Sequence, residues 1–542
     1  MIYNNAIQTL AELTAVQAEQ FPERRALICQ GQTLICQGQP LTCQGQTLTY
    51  QQLHQRSQQL AQALLTVGIQ PGARVAFLAQ DCLQGYEILF ACAQIGAVLV
   101  PVNWRLSPPE VRYILQDAEV ELLFVGPKFY RPVASILPEL TQIKTIVALA
   151  GESPAVPPDW LVYESWRSAA TPAPVVKISS NQVVVQMYTS GTTGHPKGVQ
   201  LVHDSFFAIA RAFARTGQPW IGWRSQDISL IALPLFHIGG LWWAIRGLVA
   251  GAENVLLTSF VPAAALQAIT TYGVTKTCLV PAMMQAMLAE PSSRTTNFDT
   301  LDTIVYGGSP IAETLLTQAI NTFACDFVQI YGMTETGNCA VCLPASAHSL
   351  ERPQLLKAAG KPFPGVSVTV LDAQQKPLPV GEIGEICLRS PANMVGYWKL
   401  PEATDKTLVD GWIHTGDAGY LDKDGYIFIC DRIKDMICYA SENVYPAEVE
   451  NILYQHPAIA DVAVIGVPDP QWGEAIKAMV VLKPDAAATH LDIINFARGK
   501  IANFKLPRTV DFIETLPRTP SGKVQKGKLR DPYWQGYERK VH

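Results

Sequence analysis

Long apolar runs are missing from this chain. The most apolar stretch, residues 88–102, is interrupted by Gln94 and Gly96 and contains Pro101. It is too short for a bilayer span and reads as a buried helix followed by a strand, so no transmembrane segment is expected; peripheral contact with a membrane stays open. Charge is also scarce, with 16% of residues charged and a formal net charge of −5. That balance gives no overall pull toward nucleic acid, and any polyanion site must be local. The opening residues MIYNNAIQTLAELTAVQAEQF have neither a basic start nor a continuous apolar core. No secretory signal is read there, a cytoplasmic location is expected, and the twelve cysteines are expected to stay reduced. Cys339 and Cys342 form the sole C-x-x-C; without a second pair at zinc spacing, both read as strand residues near a pocket.

What is plentiful is apolar: 48% of 542 residues, enough for one large domain plus a smaller one, or three of ordinary size. ARVAFLAQ (73–80) reads as a strand, LQGYEILFACAQIG (83–96) as a helix and VLVPVN (98–103) as a strand. Strand, helix, strand at this spacing is the unit of a parallel sheet covered on both faces, and an α/β fold is expected. The proline-rich residues 152–176 read as loops before the strand QVVVQMY. After residue 430 a charged segment, Asp431 to Asp435, leads into strands at DVAVIGVPD and AMVVLKPD and a helix at 491–504, a compact α+β unit.

Residues 29–50 repeat one heptad three times and bring Cys29, Cys36 and Cys43 to a spacing of seven. Seven is odd, so neighbouring cysteines of one strand would face opposite sides, which is poor for chelation. The segment reads as a hairpin expanded at its tip, where additions are tolerated best.

The strongest local signal is YTSGTTGHPKG (188–198), directly after a strand. Its glycines Gly191, Gly194 and Gly198 let several backbone N–H groups converge on one point, and the hydroxyls and Lys197 add donors and charge, as a phosphate nest requires. The glycine, lysine and hydroxyl spacing of a Walker loop is absent. Further along come YGGSP (306–310), YGMTE (331–335), GWIHTGD (411–417), DRIKD (431–435), ENVYPAEVE (442–450) and PRTPSGKVQK (517–526). Glu335 follows a turn at a strand end, where a carboxylate can hold Mg2+ between phosphates. Asp417 offers two oxygens to a pair of ribose hydroxyls. Lys523 lies in a Pro/Ser/Gly stretch that can deliver an ammonium to charge developing in a transition state.

In this order the motifs resemble the adenylate-forming superfamily of acyl-CoA synthetases, peptide-synthetase adenylation domains and luciferases, and within it bacterial medium- to long-chain fatty-acyl-CoA ligases. The resemblance implies a large N-terminal domain of layered β-sheets and helices with a small β-barrel (1–430, carrying the 29–49 repeat), a hinge (431–435) and a small mobile C-terminal α+β domain (436–542). It implies that Thr189, Ser190, Gly191, Thr192, Thr193, Gly194 and Lys197 hold phosphate. Gly308, Ser309, Pro310, Tyr331, Gly332 and Thr334 would line the adenine and phosphate site, Asp417 and Arg432 would meet the nucleotide, and Lys434 would be the pivot. Lys523, Glu335, Lys197 and His237 are the implied catalytic set. His237, Gly307, Gly308 and Met333 would line the acyl pocket, and Ala440, Ser441 and Glu442 the coenzyme A passage. The implied reaction forms acyl-AMP from a carboxylic acid and ATP with Mg2+, then transfers the acyl group to coenzyme A. A medium- or long-chain fatty acid is expected; an aromatic-acid ligase, another acceptor, or a non-catalytic nucleotide-binding relic are the alternatives. A monomer or homodimer is expected. One departure stands out: where relatives commonly carry a glycine pair before ENVYP, this chain has Ala440 and Ser441, from which a slow second half-reaction is expected.

Overall fold

The computed structural model describes residues 7–29, 33–36, 39–42, 45–149, 155–171, 177–189, 195–216, 220–349, 351, 353–439, 442–519 and 522–537, with the backbone alone for 33–36 and 39–42. Two large sheets form the body. A nine-stranded sheet runs through Thr303–Gly307 and Asp326–Tyr331, and an eight-stranded sheet through Arg74–Leu78 and Val183–Thr189. The strand, helix, strand unit is present as Arg74–Leu78, Leu83–Ile95 and Val98–Pro101, the strands pairing in parallel.

The helix Leu83–Ile95 touches strands of both sheets, and every residue of it except Gln84 is buried. That explains a segment apolar all round. Its one acid, Glu87, is fully buried but accepts from Arg56 Nε at 2.8 Å and from the Tyr163 hydroxyl at 2.6 Å. Tyr163 comes from the proline-rich region read as loop, which in fact holds a strand, Leu161–Val162, and a helix, Tyr163–Ser168. Burial of Tyr163 against Glu87 overrides the local proline signal there.

The repeat does expand a hairpin. Arg25–Cys29 pairs antiparallel with Thr47–Thr49, and Thr33–Cys36 with Gln39–Thr42 as a separate two-stranded sheet. Cys29 is buried in the main core, while the side chains of Cys36 and Cys43 lie outside the described residues. Thr49 caps the following helix, Tyr50–Thr66, by accepting from Gln52 N at 3.2 Å.

The expected small barrel is seen as a five-stranded antiparallel sheet, Ser367–Leu371 through Ile427–Arg432. The chain leaves it at Arg432 and begins the C-terminal sheet at Ile437, with one 3-10 turn between. The helix expected at 491–504 stops at Ala497, because Gly499 takes φ +77° and Arg498 bridges to Ile501. Among the described residues no helix is long and apolar enough to cross a membrane.

Candidate active site

Strand ends assemble the site. Val183–Thr189 runs into the glycine-rich loop and returns as Lys197–Val202, with Thr189 opposite Lys197. Ser190, Gly191, Thr192, Thr193 and Gly194 lie outside the described residues, as do Ala440 and Ser441. Thr303–Gly307 and Asp326–Tyr331 are neighbouring parallel strands, and their carboxyl ends release Gly308 to Pro310 and Gly332 to Glu335 side by side. Ligands of α/β sheets bind at such ends. Gly307 is held to glycine by packing, since a Cβ would lie 2.2 Å from Ile330 O. Gly308 takes φ +81° and so turns the chain out of the sheet.

Glu335 sits in a 3-10 turn, Thr334–Thr336, and is 5% exposed. Its Oε1 accepts from the Tyr397 hydroxyl at 2.7 Å, and its carbonyl accepts from Met394 N at 2.8 Å. Lys197 Nζ stands 4.2 Å over the Tyr397 ring. With Oε1 engaged by Tyr397, the second carboxylate oxygen of Glu335 suits a hard divalent cation. Sequence reasoning missed Tyr397. It lies in no recognisable motif, and only the edge pairing of Gly396–Tyr397 with Lys197–Val202 brings it there.

Asp417 accepts from the Tyr331 hydroxyl at 2.7 Å on one oxygen and from Arg432 Nε at 2.8 Å on the other. Each oxygen keeps a second lone pair for an incoming hydroxyl. Burial raises the Asp417 pKa, and Arg432 opposes that rise. Arg432 also donates to Thr415 O at 3.2 Å, which ties the end of its strand to the strand Trp412–Leu421 that carries Asp417.

Lys523 arrives from the far end of the chain. Gly522 beside it takes φ +83°, and a Cβ there would lie 3.2 Å from Ala282 and 3.9 Å from Val280, the residue a Cβ on Gly308 would also meet. The Lys523 side chain is open to the cleft, yet protein crowds it. Loss of solvation and then Arg432 lower its pKa, while Asp417 and Glu335 pull it up. His237 feels Lys523 as well. Burial and then that charge push its pKa down to about 3, so the ring is neutral near pH 7. Among the described residues its Nε2 and the Nδ2 of Asn338 are buried without hydrogen-bond partners.

The His237 loop is fixed by Asp81, which sequence reasoning also missed. Asp81 accepts from Leu235 N at 2.7 Å, and burial raises its pKa to about 7. Met333 and Thr334 lie half-buried in the same turn as Glu335. Lys434 is exposed in the turn Ile433–Asp435. Glu442 is exposed on the C-terminal sheet, paired with Tyr439, and no described contact joins it to the other site residues.

Comparison with known proteins matches this arrangement. Residues 14–398 fit the AMP-binding enzyme family and residues 448–523 the AMP-binding enzyme C-terminal domain. The chain is 47% identical to the fatty acid–[acyl-carrier-protein] ligase ScoC of Streptomyces coeruleorubidus, covering 100% of this chain and 99% of that protein. It is 37% identical to a feruloyl-CoA synthase of Amycolatopsis sp, covering 88% and 92%. The anthranilate CoA ligase AuaEII in complex with anthranoyl-AMP superposes with a TM-score of 0.87 at 26% identity, over 98% of this chain and 99% of that one. ATP-bound MatB from Rhodopseudomonas palustris gives 0.84 at 28%, over 97% and 100%. The chain thus belongs to the AMP-binding enzyme family of adenylate-forming ligases.

Proposed function

We propose that the protein activates a carboxylic acid of the fatty-acid class as acyl-AMP and passes the acyl group to a phosphopantetheine thiol. The observation that carries this reading is the place of Gly522, next to Lys523, against Ala282 and Val280, the latter also beside Gly308, so that the C-terminal segment lies at the strand ends that release Gly308 and Glu335. In the first step a carboxylate oxygen attacks the α-phosphorus of ATP and pyrophosphate leaves. Negative charge concentrates where Lys523 points its ammonium, so the transition state gains more than the ground state. Glu335 is the residue proposed to hold Mg2+, which neutralises phosphate charge when bound. Lys197 and the loop after Thr189 take the outer phosphates, Asp417 the ribose hydroxyls. Tyr331 and Gly308 to Pro310 border the base. In the second step the thiol attacks the acyl carbonyl, loses its proton, and AMP leaves.

Lys434 is proposed as the pivot between residues 1–430 and 436–542, because the two sheets end and begin at Arg432 and Ile437 with only one turn between them. Likeness to ScoC along the full chain favours a carrier protein as the bearer of the thiol. Relatives named as CoA synthases support free coenzyme A as the second reading. The two separate when enzyme, ATP and acid are mixed with coenzyme A or with a phosphopantetheinylated acyl-carrier protein and products are weighed by mass spectrometry. Thioester on the carrier at a rate at least about tenfold above coenzyme A is expected. The reverse order establishes coenzyme A, and no thioester on either refutes the second step.

A further inference from the structure

Beyond the site's first contacts lies a small cavity among the described residues. It measures about 30 Å3 and lies between the helix Ile238–Val249, the segment His203–Thr216 and the turn at Gly337 to Cys339. Its lining includes Phe206, Phe213, Trp220, Trp242, Arg246 and Cys339. It is continuous in sequence with the reaction centre on two sides. The helix starts at His237, whose carbonyl accepts from Leu241 N at 3.0 Å, and Gly337 closes the turn that carries Glu335. At the rise of an α-helix, Trp242 stands only about 7 Å along the axis from His237, room for about five carbon–carbon bonds. The cavity itself has room for only a few waters.

The wall at that depth is braced. The Trp220 ring lies 5.4 Å from Trp242, 6.0 Å from Phe213 and 5.1 Å from Phe363, and Phe213 and Phe363 lie 5.0 Å apart. Trp220 Nε1 donates to Cys342 Sγ at 3.1 Å, which ties its ring to the strand Val341–Leu343. Each ring is packed by at least one other, so none swings aside without disturbing the cluster. One further turn along the same helix the buried Arg246 lines the same cavity, donates to Phe206 O and lies 5.7 Å from the Phe207 ring. An alkyl chain driven past the rings would have to lie against that cation, which is unfavourable.

We infer that Trp220 and Trp242 close the acyl pocket, so that the substrate is a short aliphatic acid of about four to six carbons. This replaces the medium- or long-chain acid expected from the motifs. The inference rests on the adenylation reading. Packing alone accounts for the selectivity: each methylene that does not fit costs roughly tenfold or more in kcat/KM.

The test is acid-dependent exchange of labelled pyrophosphate into ATP, run from acetate to palmitate with benzoate and ferulate alongside. Wild-type enzyme is expected to peak between butanoate and hexanoate and to lose at least about tenfold by decanoate. Trp220→Ala is expected to raise the decanoate-to-butanoate ratio by at least about tenfold. Trp220→Leu, a milder opening, is run beside it with melting curves, and a smaller shift in the same direction is expected. Wild-type exchange that is fastest with dodecanoate, palmitate or an aromatic acid overturns the inference while leaving adenylation intact. So does an unchanged ratio in a folded Trp220→Leu enzyme. Exchange with no acid at all overturns the adenylation reading beneath it.

Discussion

Lys523 is the residue on which the proposed chemistry turns most sharply. Lys523→Ala is expected to slow acyl-AMP formation by about a hundredfold or more, the scale of one lost transition-state charge partner. Thioester formation from supplied acyl-AMP should largely survive, and equal loss in both steps would show a structural role instead. The pH profile makes the same point. The Lys523 pKa is lowered by burial and Arg432. The ammonium is therefore lost as pH rises through a value below that of a free lysine, and the alkaline limb of adenylation falls early. Lys523→Arg keeps its charge and should move that limb upward whatever it does to the plateau. Asp417 works the opposite flank: its raised pKa places loss of the ionised acceptor above the range of a free aspartate, so the acid limb comes early too. At this scale the sequence points to residues where the proposed chemistry demands a residue type, as at Glu335, Asp417 and Lys523. It was silent on Tyr397 and Asp81, whose tasks are to hold Glu335 and Leu235 N and could be done by several residue types from several places.

Elements with one strong local cause were legible: the parallel strands around Leu83–Ile95, and the strand Val183–Thr189 before the glycine-rich stretch. The short helix Tyr163–Ser168 was not, because its reason to form lies in a distant partner, Glu87. That partner gives a stability prediction. Glu87→Ala leaves the part-buried Arg56 with one carboxylate fewer and the buried Tyr163 hydroxyl unpaired, and should cost about 3 kcal/mol, read as a lower midpoint in urea. An unchanged midpoint would mean the triad contributes nothing net. The heptad repeat is the opposite case. Removing residues 30–43 keeps Cys29 in the core and Thr49 as the helix cap, and joins the two outer strands by a single Gln-Gly turn. Activity should be unchanged and the melting temperature should move by no more than about 3 °C. A larger fall would show that the extension packs on the body.

For the whole molecule, the linker after the barrel sheet is where two stable units meet. Asp431 accepts from Ala447 N at 2.9 Å, Arg530 reaches Asp435 at 3.1 Å, and Lys526 pairs with Glu450 at 2.9 Å, so the linker and the tail carrying Lys523 are tied together. A rotation about Lys434 would then carry Lys523 out of the cleft as part of one body, freeing the place for a thiol. The order of motifs is what suggests this division of labour in the sequence. Pocket depth was not readable, since Trp220, Trp242, Phe213 and Phe363 come together only by packing between distant segments. The central claim is that a carboxylate oxygen bonds to the α-phosphorus of ATP. The most direct measurement supplies a short acid with both carboxylate oxygens as 18O, lets the full reaction run, and weighs the nucleotide. A single heavy oxygen in the AMP phosphate, with unlabelled pyrophosphate, is predicted. AMP without label, or label in the pyrophosphate, would contradict it.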